Sequence, residues 1–124
     1  MALPDKWQAL QSFWESFGIP AYDENTVPDE AEMPYITYEA STANIEHSLN
    51  LTASLWYYSG SWEEISKKAA EIGAYIGYGH RIIPLNKGYL NITQGSPFAQ
   101  RFSDSNDKIR RIIINIDCEY YTAD

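Results

Sequence analysis

The sequence is short of cysteine and histidine, which many nucleophilic and metal sites require. It has one cysteine, Cys118, and two histidines, His47 and His80, among 124 residues. One thiol cannot form an internal disulfide, and this set cannot supply the ligands of a structural zinc site. A glycine-rich phosphate loop and a G-x-S-x-G motif are also missing. We therefore expect no enzymatic activity, no catalytic residue, no bound metal and no cofactor.

Long apolar runs and basic residues are scarce as well. No stretch of about 18 uncharged apolar residues occurs, so the sequence predicts neither a membrane span nor a signal peptide. Nine Lys and Arg stand against 17 Asp and Glu, which gives a formal net charge of −8 and argues against specific nucleic-acid binding. The length and the 44% hydrophobic content predict a single domain over residues 1–124.

Charge is unevenly distributed along the chain. Residues 1–66 contain 11 acidic residues and one basic residue, a net of −10, whereas residues 67–124 contain 6 acidic and 8 basic residues, a net of +2. Two interpretations are open. Either the charges interleave on the folded surface, or one surface of a subunit complements a different surface of its neighbour. Contacts of the second kind close into rings or continue as filaments.

Hydrophobic periodicity predicts two helices. In the first, apolar residues recur at three- and four-residue spacing until Gly18. The second begins at Ser61, which forms a capping-box signature with Glu64, and ends at Gly77. The two apolar stripes consist of Trp7, Leu10, Phe13, Trp14 and Phe17, and of Trp62, Ile65, Ala69, Ile72 and Ile76.

Alternating patterns predict four strands, in residues 34–42, 48–59, 88–93 and 108–122. Residues 21–33 hold five acidic residues and are interpreted as a surface loop. The predicted fold class is α+β, in the order helix, strand, strand, helix, strand, strand. Two helices are expected to pack on one face of a four-stranded, mainly antiparallel sheet.

The last predicted strand carries a pair of carboxylates, Asp117 and Glu119, on the face opposite Cys118. Carboxylates two residues apart are able to bind a hard cation or to act as acid and base. The alternative, which we favour, is a solvated or subunit-facing sheet surface. Cys118 shares its face with three isoleucines and is predicted to be a small buried side chain rather than a nucleophile.

Residues 94–111 are the strongest candidate for function. They form a long polar insert between the last two predicted strands and hold four of the nine basic residues. A connection longer than about 12–15 residues in a compact domain is usually functional or disordered. The predicted subunit-interface residues are Phe98, Gln100, Arg101, Phe102, Asp104, Lys108, Arg110 and Arg111. The alternative is that the two phenylalanines only tuck under the edge of the sheet.

The chain resembles the tail-terminator, or tail-completion, proteins of long-tailed bacteriophages and prophages. The resemblance lies in the succession of MPYITYEAS, SLNLTASLWYYS, SWEEISKKAAEIGAYIG and YLNITQGSPFAQRFSDSNDKIRRIIINIDCEYYT. It covers roughly residues 4–122 and depends on the order and length of elements rather than on a diagnostic motif. Proteins of this family are α+β domains that form a hexameric ring on the tail tube, end its growth and join the tail to the head.

The resemblance implies a structural protein of the virion tail or neck, present in the host bacterial cytoplasm during assembly. Its implied partners are further copies of itself, the tail-tube protein and head-tail connector proteins, while DNA passes through without specific binding. The resemblance implies no catalytic residue. It implies only positions that take part in assembly, which are Pro34-Tyr35, the 61–76 helix, and Gln100, Arg101 and Asp104. Two alternatives stay open: another neck or head-completion protein of the same particle, and a small-ligand-binding or enzymatic domain.

Overall fold

The computed structural model of the chain describes residues 3–39, 48–77, 79 and 81–122. Two helices and six strands occur in this part of the chain. Their order is α1 (Lys6–Glu15), β1 (Ala21–Asp23), β2 (Tyr35–Tyr38), β3 (Ser48–Tyr58), α2 (Glu63–Ile76), β4 (Arg81–Leu85), β5 (Gly88–Ser103) and β6 (Ile109–Thr122).

Polar side chains and a glycine set the helix ends. Asp5 caps α1, because its Oδ1 accepts a hydrogen bond from the Gln8 N–H at 2.8 Å and Gln8 Oε1 accepts one from the Asp5 N–H at 3.0 Å. At α2 the predicted capping box does not form, and Ser61 Oγ accepts from the Glu63 N–H instead. Gly77 ends α2 with φ at 78°, a conformation that glycine adopts without strain.

All six strands belong to one mixed sheet, in the order β1-β2-β3-β6-β5-β4, which curls into a half-barrel. β1 and β2 run parallel, and the other neighbouring strands are antiparallel. The prediction of a four-stranded, mainly antiparallel sheet is therefore wrong. It missed β1 and β4, which are short strands at the two edges of the sheet.

The core lies between one face of the sheet and both helices. Along β6, four side chains alternate inward and are at most 3% exposed: Ile112, Ile114, Ile116 and Cys118. Burial, with a smaller effect of Glu119, raises the pKa of the Cys118 thiol to about 12. The prediction that this cysteine is a small buried side chain is confirmed. The helices contribute Ala9, Leu10, Phe13 and Trp14 from α1 and Ile65, Ala69, Ile72 and Ile76 from α2.

Residues 94–111 are not the long loop that the sequence predicts. β5 continues through Ser103 and β6 begins at Ile109, so the connection is only residues 104–108. The rest of the segment is a β-hairpin, because the apolar β6 offers a continuous ladder with which residues 99–103 pair. The predicted interface residues therefore lie on strands and at a short turn.

Candidate assembly surface

The tip of the β5–β6 hairpin is a turn held by its own side chains. Asp104 Oδ1 accepts a hydrogen bond from the Asn106 N–H, and Asn106 Oδ1 accepts one from the Lys108 N–H, both at 2.9 Å. The Lys108 carbonyl accepts from the Ser59 N–H at 2.7 Å, which ties the tip to the chain after β3. Asp104 and Lys108 are exposed at this tip.

A four-residue bulge interrupts β5. Residues 95–98 lie opposite a single residue of β6, Asn115. Asn115 Nδ2 donates a hydrogen bond to the Pro97 carbonyl at 2.9 Å. Bulges bend a strand and redirect its side chains. This one separates the half of β5 that pairs with β4 from the half that leads to the hairpin tip.

Residues in and next to the bulge attach β5 to α2. Gln94 Nε2 donates to the carbonyls of Gly73 and Gly77 at 3.0 and 3.1 Å, which satisfies acceptors at the C-terminal end of the helix. Phe98 is half-buried against the same part of α2, where a Cβ built on Gly73 would lie 3.2 Å from Phe98 Cε2. Phe98 thus packs within its own chain.

Gly95→Ala is expected to destabilise the protein by about 1–3 kcal/mol. A Cβ on Gly95 would lie 2.9 Å from both the Cβ and the carbonyl oxygen of Asn115, so the backbone of β5 or β6 would have to shift. Gly60→Ala is the matched control, because nothing lies within 4 Å of a Cβ built there. Urea denaturation measures both variants, and equal midpoints would contradict the close approach at the bulge.

Two predicted interface arginines stack on one indole. The guanidinium carbons of Arg101 and Arg110 lie 4.8 and 5.1 Å from the centroid of the Trp62 ring. Arg110 Nη2 also donates to the Gly60 carbonyl at 2.9 Å, and Arg101 Nη2 donates to Ser66 Oγ at 3.4 Å. The stack joins the hairpin to the N-terminal end of α2. Arg101 is exposed there, whereas Arg110 is half-buried.

On the opposite face of the hairpin, Arg111 lies against two aromatic rings. Its guanidinium carbon is 4.6 Å from the Trp56 centroid and 5.7 Å from that of Phe102. Arg111 Nε and Nη2 both donate to Ser54 Oγ at 3.1 Å. Phe102 is 43% exposed. This face therefore presents Phe102 to solvent while the Arg111 guanidinium is bonded within its own chain.

An open groove of about 350 Å³ lies between α2 and the tip half of β5. Ala70 and Gly73 contribute to the α2 wall, and Gln100 and Arg101 to the β5 wall. The periodicity of the sequence does not indicate this groove. Ala70 and Gly73 lie outside the predicted packing stripe of α2, and the β5 residues of the other wall fall in the segment that was predicted to be a loop.

β5 has an unpaired outer edge along the groove. β4 pairs with β5 only as far as Ile92, and residues 99–103 pair with β6 alone. Within the described part of the chain, no other backbone group bonds to the outer side of residues 99–103. Backbone groups on such an edge are free to pair with another chain.

The other edge of the sheet is acidic, and its backbone acceptors are occupied. Gln11 Nε2 donates to the Ala21 carbonyl at 3.2 Å, and the Thr26 N–H donates to the Asp23 carbonyl at 2.9 Å. In and after β1 lie the acidic residues Asp23, Glu24, Asp29, Glu30 and Glu32. The segment in and after β1 is thus purely acidic, whereas residues 101–111 of the hairpin hold four basic residues against the two acidic residues Asp104 and Asp107.

Each carboxylate of the Asp117 and Glu119 pair has its own partner. Asp117 Oδ1 accepts from Asn50 Nδ2 at 3.1 Å, whereas Glu119 accepts from the Tyr121 hydroxyl, and this bond raises the pKa of Tyr121. Among the residues that the structure describes, no three His, Cys, Asp or Glu side chains group as metal ligands, and no helix is long and apolar enough to cross a membrane. The two histidines lie outside the described residues.

No protein-family model and no curated protein matches the chain. The fold is similar to that of a chain in a solved structure described as the virion of a native gene transfer agent (GTA) particle. The TM-score is 0.71, the sequence identity is 14%, and the similarity covers 94% of each chain. At this identity the likeness is one of fold, and it extends over nearly the full length of both chains.

Proposed function

We propose that this chain is a non-enzymatic structural protein of a phage-like particle. The observation that carries the proposal is the fold that it shares, over 94% of each chain, with a chain of a gene transfer agent virion. Within the particle we assign it the role of tail terminator. In this role a ring of identical copies caps the tail tube, ends tail polymerisation and provides the surface that joins the head.

The distribution of charge supports a ring. Residues 23–32 are acidic and the hairpin has an excess of basic residues, so one surface of a copy is suited to a different surface of the next. A contact between unlike surfaces closes into a ring when the rotation between copies allows it. A hexamer in the particle is the expected closed form, with the tail-tube protein on one side and connector proteins on the other.

The net charge of −8 supports passage of DNA through such a ring. A negative surface repels the phosphate backbone, so DNA is expected to move through without being retained.

A small-ligand or enzymatic role has less support. Catalytic and ligand pockets combine enclosure with several convergent polar groups. The groove beside α2 is open, and Arg101 is the one ionisable side chain among the described residues that line it.

Capping of growing tubes tests the proposed role. When the protein is added to polymerising tail-tube protein from its own particle, we expect shorter tubes with a ring at one end, visible by electron microscopy. Ovalbumin at the same concentration controls for crowding. Tubes of unchanged length without terminal rings would contradict the terminator role and leave another neck position as the better assignment.

A further inference from the structure

The groove and the unpaired edge of β5 form one continuous surface without an occupant among the described residues. Residues 99–103 offer free backbone groups, and the alanine and glycine side of α2 lies next to them. Long edges of this kind are normally covered or blocked, because they add strands from other chains. The surface is therefore suited to an extended segment of a partner.

The charged side chain at the rim of this surface is basic. Arg101 is exposed and is the one charged residue among the described residues that line the groove, whereas the hairpin tip beyond it carries Lys108 together with Asp104 and Asp107. The floor, in contrast, is formed by small uncharged residues such as Ala69 and Gly73. A matching segment needs acidic side chains for the rim and small apolar side chains for the floor.

Residues 24–33 of this chain have that composition. Glu24, Asp29, Glu30 and Glu32 are exposed, while the apolar residues Val27, Ala31 and Met33 of the same segment are half-buried. The segment follows β1, and β2, β3 and β6 separate β1 from β5 in the sheet. The segment lies beside β1 and β2, where the Glu24 N–H donates to the Tyr38 carbonyl, and none of its residues lines the groove of its own copy. A second copy has to supply it.

We propose that the groove and the outer edge of β5 bind residues 24–33 of a second copy, so that identical chains join head to tail. The proposal rests on the ring of the proposed function and specifies its contact. Arg101 on one copy pairs with the acidic segment of the next, while the free backbone groups of residues 99–103 bond to it. The contact joins two different surfaces, β5 of one copy and residues 24–33 of the next, so it adds copies in a single orientation. The carbonyls of Ala21 and Asp23 at the outer edge of β1 are already occupied and do not compete for the segment.

A charge swap tests this contact. Arg101→Glu and Glu30→Lys are each expected to weaken self-association about tenfold or more, because each places like charges together at the rim. The double variant restores the opposite charges and is expected to associate within about threefold of the wild type. Sedimentation velocity over a concentration series measures association, and electron microscopy shows whether closed rings form.

Lys87→Glu is the matched control, because it makes the same charge change at the exposed turn between β4 and β5, away from the groove. It is expected to leave association unchanged. Thermal unfolding of each variant checks that the fold is intact, since Arg101 also stacks on Trp62.

A second variant tests the same contact without changing any charge. Ala70 is exposed on the groove wall, so Ala70→Phe is expected to fill the groove and to weaken association without disturbing the core.

The outcomes are distinct. Single variants that associate as the wild type does, or a double variant that is not restored, would overturn the contact while the capping of tubes still stands. A wild type that stays monomeric at every concentration would overturn self-association through this surface. Absence of capping, with the charge swap behaving as expected, would instead overturn the terminator role and keep the contact.

Discussion

Trp14→Ala is expected to lower the free energy of unfolding by about 3–5 kcal/mol. The indole is 1% exposed and is the bulkiest of the fully buried side chains. Its ring centroid lies 4.9 Å from that of Phe13 in an edge-to-face arrangement. Alanine would leave a closed cavity where α1 meets the sheet. Domains are typically stable by about 5–15 kcal/mol, so urea denaturation followed by circular dichroism should show a much lower midpoint.

Trp7→Ala is the matched control on the same helix. Trp7 is half-buried, and the Lys6 Nζ lies 5.5 Å from its ring centroid. Water can fill the space that alanine leaves there, so the expected loss is about 1 kcal/mol. Equal losses at the two positions would mean that Trp14 is not enclosed.

Ile114→Ala is expected to cost about 4–5 kcal/mol, the upper part of the range for such substitutions. Ile114 is 0% exposed, and its neighbours on the two flanking strands are both alanines, Ala53 on β3 and Ala99 on β5. Neither alanine can extend into the space, so the cavity would stay open. Because Ala99 is the first paired residue after the bulge, we also expect faster proteolysis of the hairpin in this variant.

Ile113→Ala provides the comparison one residue away. Ile113 is half-buried on the opposite face of β6, between Ser54 and Gln100. Its truncation is expected to cost about 1 kcal/mol, measured by the same denaturation. A smaller loss at Ile114 than at Ile113 would reverse the assignment of faces in β6.

Both helices and the strands β3 and β6 were predictable, because each has a periodic apolar face that meets the core. The stripe of α2 is an example, since Ile65, Ala69, Ile72 and Ile76 are all buried as the spacing indicates. β2 was predicted as well, although Ile36, Thr37 and Tyr38 are buried in succession and not alternately. The prediction of a capping box at Ser61 and Glu64 was wrong, because Ser61 accepts from the Glu63 N–H instead. A capping box that was not predicted forms at Asp5 of α1.

The two edge strands were not predictable in the same way. β1 has only three residues and stands at the start of an acidic stretch. β4 contains Pro84, and Leu85 is its one buried residue. Neither strand has an alternating buried face, so hydrogen bonds to one neighbour define them and no periodicity marks them.

Most of the candidate surface could not be predicted from the sequence either, because its geometry depends on how β5 packs against β6 and α2. Residues 95–98 fall within the predicted polar insert, but they lie in the bulge of a strand. The basic character of the hairpin was evident from the sequence. The face on which each side chain lies was not, and Arg101 and Phe102 point to opposite sides of the hairpin, towards Trp62 and towards Arg111 respectively.

The bulge has a consequence for how this surface can vary among related proteins. Residues 95–98 are opposed by one residue, so strict pairing is already interrupted there. A residue gained or lost in this stretch would be absorbed locally instead of shifting the whole strand by one position. The distal end of the hairpin can therefore diverge in length and sequence, while the ladders of β3, β4 and β6 keep their alignment.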